Sequence, residues 1–89
     1  MFEISFYPAF IRAFKKIIKN NPILFEKFQA KLNIFKENPF DSQLKTHKLK
    51  GKLKDLFSFS IDYDCRIIFS FYENDKVIFE DIGTHDEVY

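Results

Sequence analysis

The sequence predicts an α+β domain: an N-terminal strand, an antiparallel helix hairpin, then a three-stranded antiparallel meander, forming a twisted sheet with the helices on one face. Three observations carry this. Apolar residues recur at helical spacing between Phe10 and Phe35, they alternate at period two from residue 56 onward, and Pro or Asn-Pro breaks separate the segments.

FEISFY, residues 2–7, has the aromatic and β-branched content of a first strand, and Pro8 ends it where a helix can begin. From Ala9 to about Asn20, Phe10, Phe14, Ile17 and Ile18 share one side of a helix, while Arg12, Lys15, Lys16 and Lys19 take the other. Asn20-Asn21-Pro22 then combines a stop with a start, because Asn21 can cap a second helix and Pro22 suits its first position. Phe25, Phe28, Leu32 and Phe35 form the second apolar stripe, with Leu24 beside it, until Asn38-Pro39 interrupts the pattern.

Residues 40–53 contain Asp41, Ser42 and Gly51 among scattered leucines, Leu44, Leu49 and Leu53. This reads as an irregular connection pinned down by its leucines. Three strand-like runs follow, at residues 56–62, 65–72 and 76–83, with the ENDK turn at 73–76 joining the last two. If Phe57, Phe59 and Ile61 meet the helices, Ser58, Ser60 and Asp62 face outward. In the next strand Arg66, Ile68, Ser70 and Tyr72 share one face and Cys65, Ile67, Phe69 and Phe71 the other.

Eighty-nine residues is one domain's worth of chain, and thirteen Phe and four Tyr compensate in bulk for its small size. Cys65 is the single cysteine, so an internal disulfide is excluded and a reducing cytoplasm is expected. It alternates with core positions, as a small buried hydrophobe does, and we assign it no role. No paired Cys/His spacing of the zinc-site kind is present, and no metal or cofactor is expected. The opening MFEISFYPAF lacks the basic start and apolar run of a signal peptide. Every apolar run is interrupted well before the length of a membrane span, so no membrane partner is expected.

The net charge of +1 conceals strong segregation. Residues 1–44 carry seven basic and four acidic side chains, residues 45–54 five lysines and no acid, and residues 55–89 two basic and nine acidic. Lys45, Lys48, Lys50, Lys52 and Lys54 are equally readable as a solvated loop and as a phosphate-binding patch. His47 lies inside that run, and His85 near the C-terminus is the only other histidine. Cleaving RNA without a metal requires taking a proton from a ribose 2′-hydroxyl, giving one to the departing 5′-oxygen, and stabilising charge on the phosphorus. Two histidines with Arg66 and nearby lysines would supply that set, although a surface histidine needs no such explanation. Asp64 reads either as a turn residue before the strand or as a carboxylate orienting a base, and spacing favours the turn. Tyr63, Tyr72 and Tyr89 are candidates for stacking on an unpaired base, with Tyr89 the one best placed to act outward.

The segment from His47 to Tyr89 resembles the C-terminal half of RelE/ParE-superfamily toxins, especially the YafQ-like branch of type II toxin-antitoxin systems. The markers are His47, Leu49 and Gly51 in a His-x-Leu-x-Gly pattern, the strand Arg66 to Phe69, and Gly83, His85 and Tyr89 at the close. The resemblance implies a single RelE-like toxin domain over residues 1–89. It also implies a cytoplasmic, ribosome-dependent endoribonuclease that cuts mRNA by 2′-hydroxyl attack, and a cognate antitoxin that binds it in a hetero-oligomer. By the same resemblance His47 and His85 transfer protons, Asp64 falls at a carboxylate position, Arg66 stabilises the phosphate, and Tyr89 matches a C-terminal aromatic. Ser60 stands where the YafQ-like pattern has a histidine, and Cys65 where it has an aromatic. Two other expectations fit the same fold: a ParE-like toxin that inhibits gyrase without catalysis, and a decayed toxin that only binds its antitoxin.

Overall fold

In a computed structural model of the protein, residues 1–51 and 55–84 are described. The elements are β1 (Glu3–Phe6), α1 (Pro8–Ile18), α2 (Pro22–Glu37), a 3-10 turn (Ser42–Leu44), β2 (His47–Lys48), β3 (Phe57–Ser60), β4 (Cys65–Glu73) and β5 (Lys76–Thr84). The α+β arrangement expected from the sequence is present.

The punctuation works as its chemistry dictates. Pro8 opens α1 at the position where its missing N–H costs nothing. Asn20, at φ 61°, takes the left-handed conformation that stops α1, and the Asn21 side chain accepts the Leu24 N–H at 3.2 Å to start α2. The two helices therefore turn back on each other within three residues.

The sheet has five strands in the order β1-β5-β4-β3-β2, with β1 parallel to β5 and the remaining pairs antiparallel. Two features go beyond the sequence reading. The first strand reaches across the helix hairpin to the far side of the meander. Within the connection read as irregular, His47 and Lys48 pair with Ser58 and Phe57 as a short edge strand. The leucines do anchor that connection: Leu44 and Leu49 are buried, while Leu53 lies outside the described residues.

One face of the sheet meets the helices through a mass of phenylalanine. Phe35 of α2 is fully buried, with ring centroids of Phe59, Phe69 and Phe79 at 4.8, 4.9 and 5.2 Å. Phe10 of α1 reaches Phe79 and Phe14, and Phe14 reaches Phe28, so both helices join one cluster. Rings at these separations add to area burial, by about 0.5–1.5 kcal/mol per pair. Cys65 is buried in the same core, as its alternation predicted. Among the described residues no helix is long and apolar enough to cross a membrane.

Candidate functional site

The opposite face of the sheet carries the polar set. Because paired residues project to the same side, the register His47–Ser58–Ile68–Asp81 defines one row and Ser60–Arg66–Gly83 the next. His47 and Arg66 thus share a face, on opposite sides of β3, two strand spacings or roughly 10 Å apart laterally. The outward orientation of Ser58 and Ser60 agrees with the alternation, yet both are buried, Ser58 fully and Ser60 at 7% exposure. Facing away from the helices does not leave them open to water.

Arg66 is fixed in place. Its Nη1 donates to Ser60 Oγ at 2.6 Å and, at longer range, to the Asp62 carbonyl at 3.4 Å. The pairing of Ser60 with Arg66 follows from the turn between β3 and β4, which is pinned by Asp62: its Oδ1 accepts the N–H groups of Asp64 (3.0 Å) and Cys65 (3.1 Å). The other Asp62 oxygen lies 3.6 Å from Lys27 Nζ on α2. The carboxylate is thereby committed to structure, and its charge is locally offset.

Ser60, Asp62 and Arg66 line a cleft of about 610 Å³ together with Lys31 of α2, Gln43 of the 3-10 turn and Lys45. Lys31 Nζ donates to the Gln43 carbonyl at 3.1 Å, so α2 is tied to two residues that line the cleft, Gln43 through Lys31 and Asp62 through Lys27. Lys45 adopts the left-handed conformation, φ 53°, where the 3-10 turn ends, and its N–H donates to the Ser42 carbonyl at 3.3 Å. From there the chain enters β2, and His47 Nδ1 lies 3.2 Å from the Lys45 carbonyl. A carbonyl only accepts, so in this hydrogen bond Nδ1 is the donor.

Of the residues the sequence singled out, Arg66, Asp64 and Lys45 line one cleft, and His47 lies outside that lining, on the same sheet face as Arg66 and paired with Ser58. Asp64 is exposed on the turn, where its spacing placed it, and it also lines the cleft. Lys48 and Lys50 are exposed beyond His47. His85 and Tyr89, with Lys52 and Lys54, lie outside the described residues, and Thr84, immediately before His85, pairs with Cys65 beside Arg66. Tyr72 is exposed near the far end of β4, away from this cluster. Lys31, Gln43 and the Ser60–Arg66 bond were not foreseen. The shared parity of Ser60 and Arg66 about a short turn was the available signal for the bond, whereas Lys31 sits in a helix whose sequence says nothing of its neighbours.

Residues 2–89 match the family described as bacterial toxin of type II toxin-antitoxin system, YafQ. No curated protein matches the chain. Among solved structures, YafQ from Escherichia coli strain BL21(DE3) is 18% identical, with a TM-score of 0.79 over 100% of this chain and 99% of that one. A conserved hypothetical protein from Helicobacter pylori is 27% identical, with a TM-score of 0.73 and complete coverage of both chains. The Escherichia coli DinJ–YafQ complex contains a chain 21% identical, with a TM-score of 0.73 over 100% of this chain and 99% of that one. Sequence, fold and the residue 2–89 match agree, and the chain belongs to the YafQ family of bacterial toxins of type II toxin-antitoxin systems.

Proposed function

We propose that the protein is a ribosome-dependent endoribonuclease that cuts mRNA in the A site by metal-independent attack of a 2′-hydroxyl on the adjacent phosphorus. The observation that carries this reading is Arg66, immobilised by Ser60 and Asp62 at the wall of a lysine-lined cleft and on the same sheet face as His47. His47 Nε2 takes the 2′-hydroxyl proton, and the new O–P bond closes a 2′,3′-cyclic phosphate. The bond to the 5′-oxygen breaks, and His85, one residue beyond β5, returns a proton to that oxygen. Arg66 stabilises the charge that builds on the phosphoryl oxygens, a task that favours a preorganised donor over a mobile one. Asp64 orients a base or its proton donor, and Tyr89 packs against the scissile nucleotide. Lys45, Lys48, Lys50, Lys52 and Lys54 hold the surrounding phosphates.

The toxin acts in the cytoplasm, where its ribosomal substrate resides, as one toxin domain over residues 1–89. A cognate antitoxin restrains it in a toxin-antitoxin hetero-oligomer, as the DinJ–YafQ complex of a structural neighbour suggests. The test is to incubate programmed ribosomes with the purified chain and map message ends. A-site cuts bearing 2′,3′-cyclic phosphate are expected. Intact message, with an active family member cutting in parallel, would overturn the assignment, and inhibition of gyrase supercoiling by the same preparation would replace it with the non-catalytic reading.

A further inference from the structure

Tyr63 is 96% exposed, more than any other large apolar or aromatic side chain among the described residues. Folding gains almost nothing from placing the ring there, and yet its backbone is closely held. Asp62 binds the two N–H groups that follow Tyr63, and Ile61 N–H donates to the Cys65 carbonyl at 2.9 Å, closing the turn beneath it. The result is a rigid pedestal carrying a bare aromatic face at the rim of the cleft that contains Arg66.

Lys31 and Lys45 line the same cleft, two cations suited to consecutive phosphates. Gln43 and Asp64, also on the wall, offer a donor-acceptor amide and an acceptor-only carboxylate, the functions that read the edge of a base. The volume falls within the roughly 300–1,000 Å³ of sites built for small molecules the size of a nucleotide. An acidic peptide would satisfy the lysines, but it would leave the ring without a planar partner and bring carboxylates against Asp64.

We propose that this cleft is a single-stranded RNA subsite in which Tyr63 stacks on one unpaired base while Lys31 and Lys45 hold the phosphates beside it, setting which nucleotide enters next to Arg66. Tyr63 is a positioning residue in this scheme, and the inference rests on the proposed RNA-cleaving activity. It adds a recognition element in α2 and the β3–β4 turn to the loop lysines and histidines already assigned.

The test uses the full chain and a short fluorescein-labelled single-stranded RNA made uncleavable by 2′-O-methyl groups, with binding read by anisotropy. Tyr63→Ala is expected to weaken binding about tenfold, the scale of losing one base–aromatic stack, while Tyr63→Phe, which keeps the ring, stays close to the parent. On a matching probe that lacks bases, parent and Tyr63→Ala should bind alike. Lys31→Ala should reduce the salt dependence of log K by about 0.7, the slope for one phosphate on a single strand. The full exposure of Tyr63 predicts unchanged thermal unfolding for its variants, which the same samples will show.

Undiminished binding by Tyr63→Ala, an equal loss on the abasic probe, or no binding of either probe by the parent chain would each overturn the subsite. A loss seen only towards a partner protein would reassign Tyr63 to that contact and overturn it too. Ribosome cleavage assayed in parallel separates the two ideas. Base-dependent binding without cleavage keeps the subsite and removes the nuclease, and cleavage with normal Tyr63→Ala binding does the reverse.

Discussion

Ser60→Ala removes a single oxygen from beneath Arg66 and leaves the sheet face otherwise filled. In the native structure Arg66 Nη1 has a 2.6 Å bond to Ser60 Oγ and a 3.4 Å approach to the Asp62 carbonyl, and the second is too long to fix the guanidinium by itself. Hydrogen bonds to charged groups contribute about 1.5–3 kcal/mol. Arg66 is only half-buried, so water replaces part of the loss, and a stability decrease of about 1 kcal/mol is expected. At this chain length that lowers Tm by roughly 4–8 °C.

In the proposed cleavage reaction the effect has a different origin. A released Arg66 must be ordered again as charge develops on the phosphate, and fixing an arginine side chain costs up to about 2 kcal/mol. That corresponds to a single-turnover rate roughly 5- to 30-fold slower, with ribosome affinity little changed. Arg66→Ala, which removes the charge outright, should slow the step about 10²- to 10³-fold. The decisive measurement is the double-mutant cycle. Ser60→Ala added to Arg66→Ala should cost nothing further, because the serine acts only through the arginine. Equal slowing in both backgrounds, or no slowing in either, would refute the positioning role, and Ser60→Thr, which retains the hydroxyl, should recover part of the rate.

Phe35→Ala should destabilise the fold by about 4 kcal/mol, towards the upper part of the range for large-to-small core changes, because three rings within 5.2 Å cannot all collapse into the void. Urea unfolding checks this, and a loss under about 1.5 kcal/mol would mean the core repacks freely. His85→Ala should slow cleavage by roughly 10²-fold or more with ribosome binding retained, and full activity would remove His85 from the chemistry. Changing Lys48 and Lys50 together to Ala should weaken ribosome binding and flatten its dependence on salt, leaving the rate after binding nearly intact. A defect confined to the step after binding would contradict that role.

The fold was legible where a residue type has one local job. Pro8, Asn21 and Pro22 mark helix starts by capping chemistry that acts within three residues, and the alternation of Phe57, Phe59 and Ile61 reports directly the sheet face that meets the helices. What the sequence concealed was partnership. Nothing in Glu3–Phe6 says that it pairs with Lys76–Phe79, since parallel pairing leaves no turn to read. A two-residue strand at His47–Lys48 is too short to show a period and was hidden among lysines.

The site divides in the same way. Arg66 and His47 could be named from chemistry and resemblance, and the register puts them on one face. Lys31 could not be, because a lysine on a helix acquires its meaning from a 3-10 turn twelve residues further on. The burial of Ser58 and Ser60 likewise follows from tertiary neighbours, not from alternation.

The parallel pairing of β1 with β5 also bears on how the protein comes into being. The segment synthesised first has its sheet partner in the segment synthesised last of those described, with the helix hairpin and the whole meander between them. Closing so long a loop is slow compared with forming local helices. A nascent chain can therefore assemble its helical hairpin early, but β1 stays without its sheet partner until β5 has left the translating ribosome. For a toxin, this order of assembly holds back the complete five-stranded sheet until its two most distant strands can meet, a delay written into strand order.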